Sequence, residues 1–298
     1  AAGKGAVTMD ISRQFVRQKQ PCAEGFRWFL RHFERGSDYQ PLLDALVDAG
    51  RVSDACWLMD QFGPTKSVLE VDALDVDAMV FAGSLHVRGP IDIGTVLRVG
   101  GSLRADSGLR VGRRVEIGEN LWAAGNILAM GKLKVDGDVR ADWSLLVEES
   151  LDCGGDLRVG RDIEVGAGCR VGGQTAVGGD VSVGGNMECL SHLRIRGGLK
   201  VRGNAWAGQG IEVREGIAVR DHLEACWGIV AGESITAGGA IKAGESLEAG
   251  EFITAGEGYG IYAGLNVPFD VWEASAWVRA RALPSRLRPI FCARVSYT

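Results

Sequence analysis

Every sixth residue from Met79 to Ile253 belongs to one apolar series, and no insertion interrupts the period. Of these thirty positions, twenty-seven are Ile, Leu, Val or Met; the exceptions are Cys169, Thr175 and Ala205. Two residues further on the position is again apolar in every hexad, from Phe81, Val87 and Ile93 through to Ala255. The residue between the two is usually polar or charged, so each hexad reads in–out–in over three residues, the alternation of a short strand. The other three positions are rich in Gly, Asp, Asn, Ser and Glu, turn residues that tolerate positive φ. Such a unit cannot bury its apolar face alone, but it can when coils stack and each strand hydrogen-bonds to its copies in adjacent coils. The 44 glycines follow from this period, and without a Gly-X-Y pattern they do not indicate collagen.

Three hexads per coil give a triangular turn of eighteen residues, and the outward residues test that length. Read at intervals of eighteen they run Arg98, Glu116, Lys134, Asp152, Arg170, Glu188, Trp206, Glu224, Lys242. The signs alternate through Glu188, as pairing between neighbouring coils favours. A second column, Arg104, Trp122, Arg140, sets a tryptophan between two guanidiniums, a cation–π arrangement. The expected fold is mainly β: a triangular β-helix (β-solenoid) of about ten coils, forming a rod of roughly 48 Å at ~4.8 Å per coil. Apolar residues at i and i+2 with Gly at i+3 differ from the left-handed helix of hexapeptide acyltransferases. Residues 79–256 are instead similar to bactofilins, bacterial polymer-forming proteins, and that resemblance implies a right-handed triangular helix.

The ends depart from the repeat. Phe26, Phe29, Leu30 and Phe33 have helical spacing, as do Tyr39, Leu42, Leu43, Leu46 and Val47, with Gly50 as a stop. A third segment, Val52 to Met59, ends before Gly63-Pro64. These predict a small helical bundle docked on the first coil, too small to be stable alone. At the other end Gly258-Tyr259-Gly260 shifts the motif by two residues, and 271–282 alternates weakly, predicting one or two strands, a proline loop and a last strand near Ile290 to Val295. The chain divides into 1–8, ahead of Met9 and expected to be a remnant of expression, a helical cap over 9–68, the solenoid over 69–258 and a β cap over 259–298. With both strand edges covered, a monomer is expected.

Little in the chain points to catalysis. The seven cysteines show no Cys-x-x-Cys pair, so neither a zinc site nor a disulfide framework is indicated; Cys153, Cys169 and Cys189 read as small buried hydrophobes. His32 belongs to a helix, and His192 and His222 read as solvated corners. Asp136, Asp138 and Asp142 form an isolated run rather than the regular aspartates of calcium-binding solenoids, and read as corner residues. No catalytic, cofactor or metal site is expected. There is no run of eighteen apolar residues and no signal peptide, so a cytoplasmic protein with no membrane partner is expected. A net charge of −5 gives no reason to expect direct nucleic-acid binding.

The informative departures are large aromatics where small residues belong. Trp122 and Trp206 take outward strand positions; Trp143 and Trp227 take corners, and each pair is 21 residues apart, one coil plus three. Leu128 and Leu146 also point outward in one column. Either the end segments fold over these patches or they are partner-binding hot spots. The candidate surface is Trp122 and Trp143 with Arg104, Arg140 and Arg161, ahead of Trp206 and Trp227. The helical head containing Glu24-Gly25-Phe26-Arg27-Trp28, followed by Gly-rich hexads and a short β tail, resembles immunity proteins of bacterial contact-dependent inhibition and related polymorphic toxin systems. That resemblance implies a protein that blocks a cognate toxin domain, often a nuclease. A bactofilin-like scaffold and, more remotely, a hexapeptide-repeat acyltransferase are the alternatives.

Overall fold

A computed structural model describes residues 10–33, 36–282, 284–288 and 295–296. The hexads wind into a right-handed β-solenoid of about eleven turns with about 18 residues per coil. Each coil contributes three strands, seen in the coil of Leu103–Ala105, Leu109–Val111 and Arg114–Ile117. All rod pairings are parallel, and from Leu85 to Ala255 they keep the expected eighteen-residue register: Leu121 lies opposite Leu103 and Val139, Ile127 opposite Leu109 and Leu145. One face stacks thirteen strands. The other two faces merge at the start of the rod, where Leu74–Phe81 and Ile91–Val99 bend around their shared corner. The rod exceeds the ten coils read from the hexads because stacking begins at Val68–Val71 and extends through Val278–Arg279 to Val295–Ser296.

From Leu85 onward both inward residues of each hexad are buried, along one continuous core that runs from Leu74 to Ala280. Cys153, Cys169 and Cys189 belong to it, as the apolar periodicity requires. Burial pushes the Cys153 and Cys169 thiols up to about 12, which leaves almost no thiolate at pH 8. Cys22 is exposed. Iodoacetamide at pH 8 is therefore expected to label Cys22 first and Cys153, Cys169 and Cys189 only after unfolding, as mass spectrometry of peptides would report. Early labelling of Cys169 would contradict the closed core.

The corners carry a second periodic order. Asn120 Oδ1 accepts from the Asp138 N–H, Asp138 Oδ1 from the Asp156 N–H and Asp156 Oδ1 from the Gln174 N–H, at 2.9, 2.8 and 2.9 Å. Another such ladder runs Asn186, Asn204, His222, ending where His222 Nδ1 accepts from the Ala240 N–H at 2.9 Å. Each rung satisfies an amide of the next coil and contributes about 1 kcal/mol. Asp138 is thus a corner residue with a structural partner, and His222 is the exposed corner expected of it and a ladder rung as well. The glycines also have a different role from the one their positions suggested. Among the described residues no glycine between 64 and 257 has a positive φ. A Cβ on Gly112 or Gly154 would instead enter the carbonyl oxygen of Gly94 or Asp136 in the preceding coil.

At the N-terminal end four helices pack together: α1 (Arg13–Gln18), α2 (Ala23–His32), α3 (Tyr39–Asp48) and α4 (Val52–Phe62). The last three match the sequence reading; α1 is additional, capped by Ser12 Oγ accepting from the Phe15 N–H. Gly50, at φ +69, ends α3 as expected, with Arg51 N–H bonded to the Leu46 carbonyl. The unit docks against the outer wall of the first coil rather than on its end: its core includes the outward-facing Val80 and also Ala82. The Gln40 amide completes the joint, donating to the Val80 carbonyl at 3.0 Å and accepting from the Ala82 N–H at 2.9 Å. Arg98 bridges Asp60 of α4 and Glu116 of the rod.

The C-terminal cap differs in part from the predicted strands. The two-residue register shift holds, since Ile261 pairs with Ile241. Residues 271–282, however, contain only the strand Val278–Arg279, while Trp272–Ser275 is helical. Trp272 and Ala276, four apart, are both buried, a helical spacing that outweighs the weak alternation. Of the strand expected near Ile290 to Val295, only Val295 is among the described residues, in the strand Val295–Ser296; the cysteine at 292 lies outside them.

Candidate partner-binding surfaces

The constant coil length decides which outward residues become neighbours. On the thirteen-stranded face the column runs His86, Arg104, Trp122, Arg140, Arg158, and the registers pair each with the next. The Arg104 guanidinium lies over the Trp122 ring at 4.2 Å. Arg140 adjoins Trp122 in register, but its guanidinium turns to Asp142 at 2.8 Å, so the expected two-sided stack is one-sided. Arg104 and Arg158 are likewise neutralised by Asp106 and Asp156, two positions away on the chain, at 2.9 and 2.8 Å. Hydrogen bonds from His86 and Arg104 hold the Asp106 carboxyl below the usual carboxylate range. These arginines present planar donors with little net charge, which favours specific packing over long-range attraction.

Trp143 stands on the corner that follows this face, three residues beyond Arg140, and is 49 % exposed. Arg161, one coil further, lies over its ring at 4.4 Å. The same corner column continues Gly179, Gly197, Glu215, Glu233, Glu251, linked by backbone hydrogen bonds from coil to coil. Trp122, Trp143, Arg104, Arg140 and Arg161 therefore come together on one flank, as their spacing implied. Among the described residues neither cap covers them: the helical unit packs on Val80, Ala82 and Val96, and the strand Val278–Arg279 lies at the far end of the rod.

Trp206 and Trp227 form a separate patch on a different corner. Trp227 is 47 % exposed and Leu190, on the same corner, 50 % exposed. The Trp206 ring reaches over Gly208, where a Cβ would lie 3.2 Å from it. Leu190 and Leu265 extend this patch and were missed in the sequence, although Leu190 occupies a corner site that glycine usually fills. Leu128 and Leu146 are half-buried Cα partners. Among the described residues no cluster of three or more His, Cys, Asp or Glu could hold a metal, and no helix is long and apolar enough to cross a membrane.

The helical unit has a recognisable relative. Residues 9–63 match the family model of the YdhT N-terminal domain. The match spans all four helices of this YdhT-like domain and ends before the first rod strand at Val68, so the rod lies outside it. No curated protein and no solved structure matches the chain.

Proposed function

We propose that this chain is a non-enzymatic binding protein whose rigid rod presents the Trp122–Trp143 flank to a partner protein. The observation that carries this reading is Trp143: a tryptophan on a corner, half exposed, held in place by the stacked Arg161 and left uncovered by the described residues of both caps. Pre-positioned Trp and Arg side chains are the commonest interface hot spots, because little rotamer freedom is lost on binding. The likeness of the head–rod–tail arrangement to immunity proteins of polymorphic toxin systems supports the finer reading, in which the partner is a cognate toxin domain. The net charge of −5 suits a basic nuclease among such toxins. Self-assembly end to end is disfavoured by Asp75 and Asp77 on the strand Leu74–Phe81 of the first coil, since like charges along an edge oppose stacking.

The test is co-expression with the product of the gene immediately upstream, followed by affinity capture and gel filtration. A one-to-one complex that abolishes a toxic activity of that product supports the immunity reading. A chain that elutes as filaments at high concentration, with no captured partner, favours the bactofilin-like scaffold instead.

A further inference from the structure

The YdhT-like domain holds a half-open cavity of about 200 Å³ between its four helices, separate from both tryptophan patches. Val16, Phe29, Leu42 and Leu46 are buried around it, while Trp28 and Trp57 stand half-buried at its rim. A helical unit this small has no apolar core to spare, and apolar walls left open to water are area that a ligand would bury. Dry apolar cavities of about 150 Å³ are known to take up benzene. This one is larger, and it opens to solvent past Cys22, Gly25 and Asp54.

The mouth is as informative as the interior. Gly25 lies in the first turn of α2, where glycine is a poor helix former. A Cβ there would sit 3.1 Å from Cys22 Sγ and 3.5 Å from Asp54 Oδ2, narrowing the entrance. Asp54 receives Arg51 on one oxygen and the Cys22 thiol, at 3.9 Å, on the other, which leaves lone pairs free for another donor. The Trp28 ring is held by His32, stacked at 4.5 Å on the next turn of the helix. Apolar walls, aromatic rims and one carboxylate at the lip together define what fits: a flat aromatic group with an N–H on its edge.

We propose that this cavity is a binding site for an indole-class group, its ring among Phe29, Leu42 and Leu46 and its N–H directed to Asp54. The group is either a free small molecule or a tryptophan side chain of a protein partner, and the proposal stands apart from the rod surface. Titration calorimetry of the full chain with indole and with N-acetyl-tryptophanamide tests it. Saturable binding of indole alone assigns the site to a small molecule; binding of the amide as tightly or more so assigns it to a tryptophan side chain. Occupancy is also expected to slow alkylation of Cys22 by N-ethylmaleimide at least fivefold while the rate at Cys226 stays constant. Gly25→Val and Leu46→Phe, which fill the mouth and the floor, are expected to weaken binding at least tenfold. The proposal is overturned if neither probe binds saturably at millimolar concentration, or if Cys22 alkylation is unchanged at saturation. Should both variants fail to fold, the Cys22 protection in the unaltered chain decides the matter.

Discussion

Gly112→Ala is expected to cost the fold about 2–4 kcal/mol, although alanine is the gentlest substitution available. The new methyl would enter the Gly94 carbonyl oxygen, which belongs to the backbone of the coil below and has no rotamer by which to yield. Relief would require two coils to separate locally and lengthen the Gly112 N–H hydrogen bond to Ile93, now 2.9 Å. Gly168→Ala is the control: its nearest atom across the stack is the Asn186 carbonyl oxygen at 3.7 Å, an ordinary contact. That change is expected to be neutral or to stabilise slightly, since alanine restricts the unfolded chain. Urea unfolding of both variants measures the difference. Equal effects would mean that corner glycines answer to backbone conformation after all.

On the binding side the largest effect is expected at Trp143. Trp143→Ala should weaken the complex with the captured partner by about 2 kcal/mol or more, roughly a thirtyfold rise in Kd. Stability should change little, because half the side chain is already in water and no core residue leans on it. Trp122→Ala should behave similarly, with a larger stability cost because the ring is half-buried beneath Arg104. Arg104, Arg140 and Arg158 are neutralised by Asp106, Asp142 and Asp156, so affinity should vary only weakly with salt. If both substitutions lower the melting temperature and leave Kd unchanged, the tryptophans are packing elements and the binding surface lies elsewhere.

The rod was legible in the sequence because both its ingredients are local and its register is arithmetic. Alternation within three residues names the strand, and a constant coil length then places Arg98 against Glu116 and Arg104 against Trp122 without further information. What failed needed the third dimension. The corner glycines looked conformational because their reason, the approach of the next coil, has no counterpart along the chain. The rung role of His222 was hidden because its partner, the Ala240 amide, is eighteen residues away and is a backbone group. Helix α1 spans six residues and shows too few apolar positions to declare a period. Trp272–Ser275 was obscured by a segment whose alternation fits a strand and a single helical turn equally well. The cavity of the YdhT-like domain was invisible for a different reason: its residues come from four helices, and Gly25 carries the one local hint.

The uniform coil also makes the rod a ruler with two independent settings. The Trp122–Trp143 and Trp206–Trp227 patches lie on different corners, roughly 22 Å apart along the axis at ~4.8 Å per coil. Inserting or deleting eighteen residues between them would change that distance by one step and leave their relative direction untouched. Inserting or deleting six would rotate one patch by a full face and barely alter the distance. Reach and angle are therefore adjusted by different lengths of the same repeat, so a rod of this kind can be matched to a new partner without redesigning either patch.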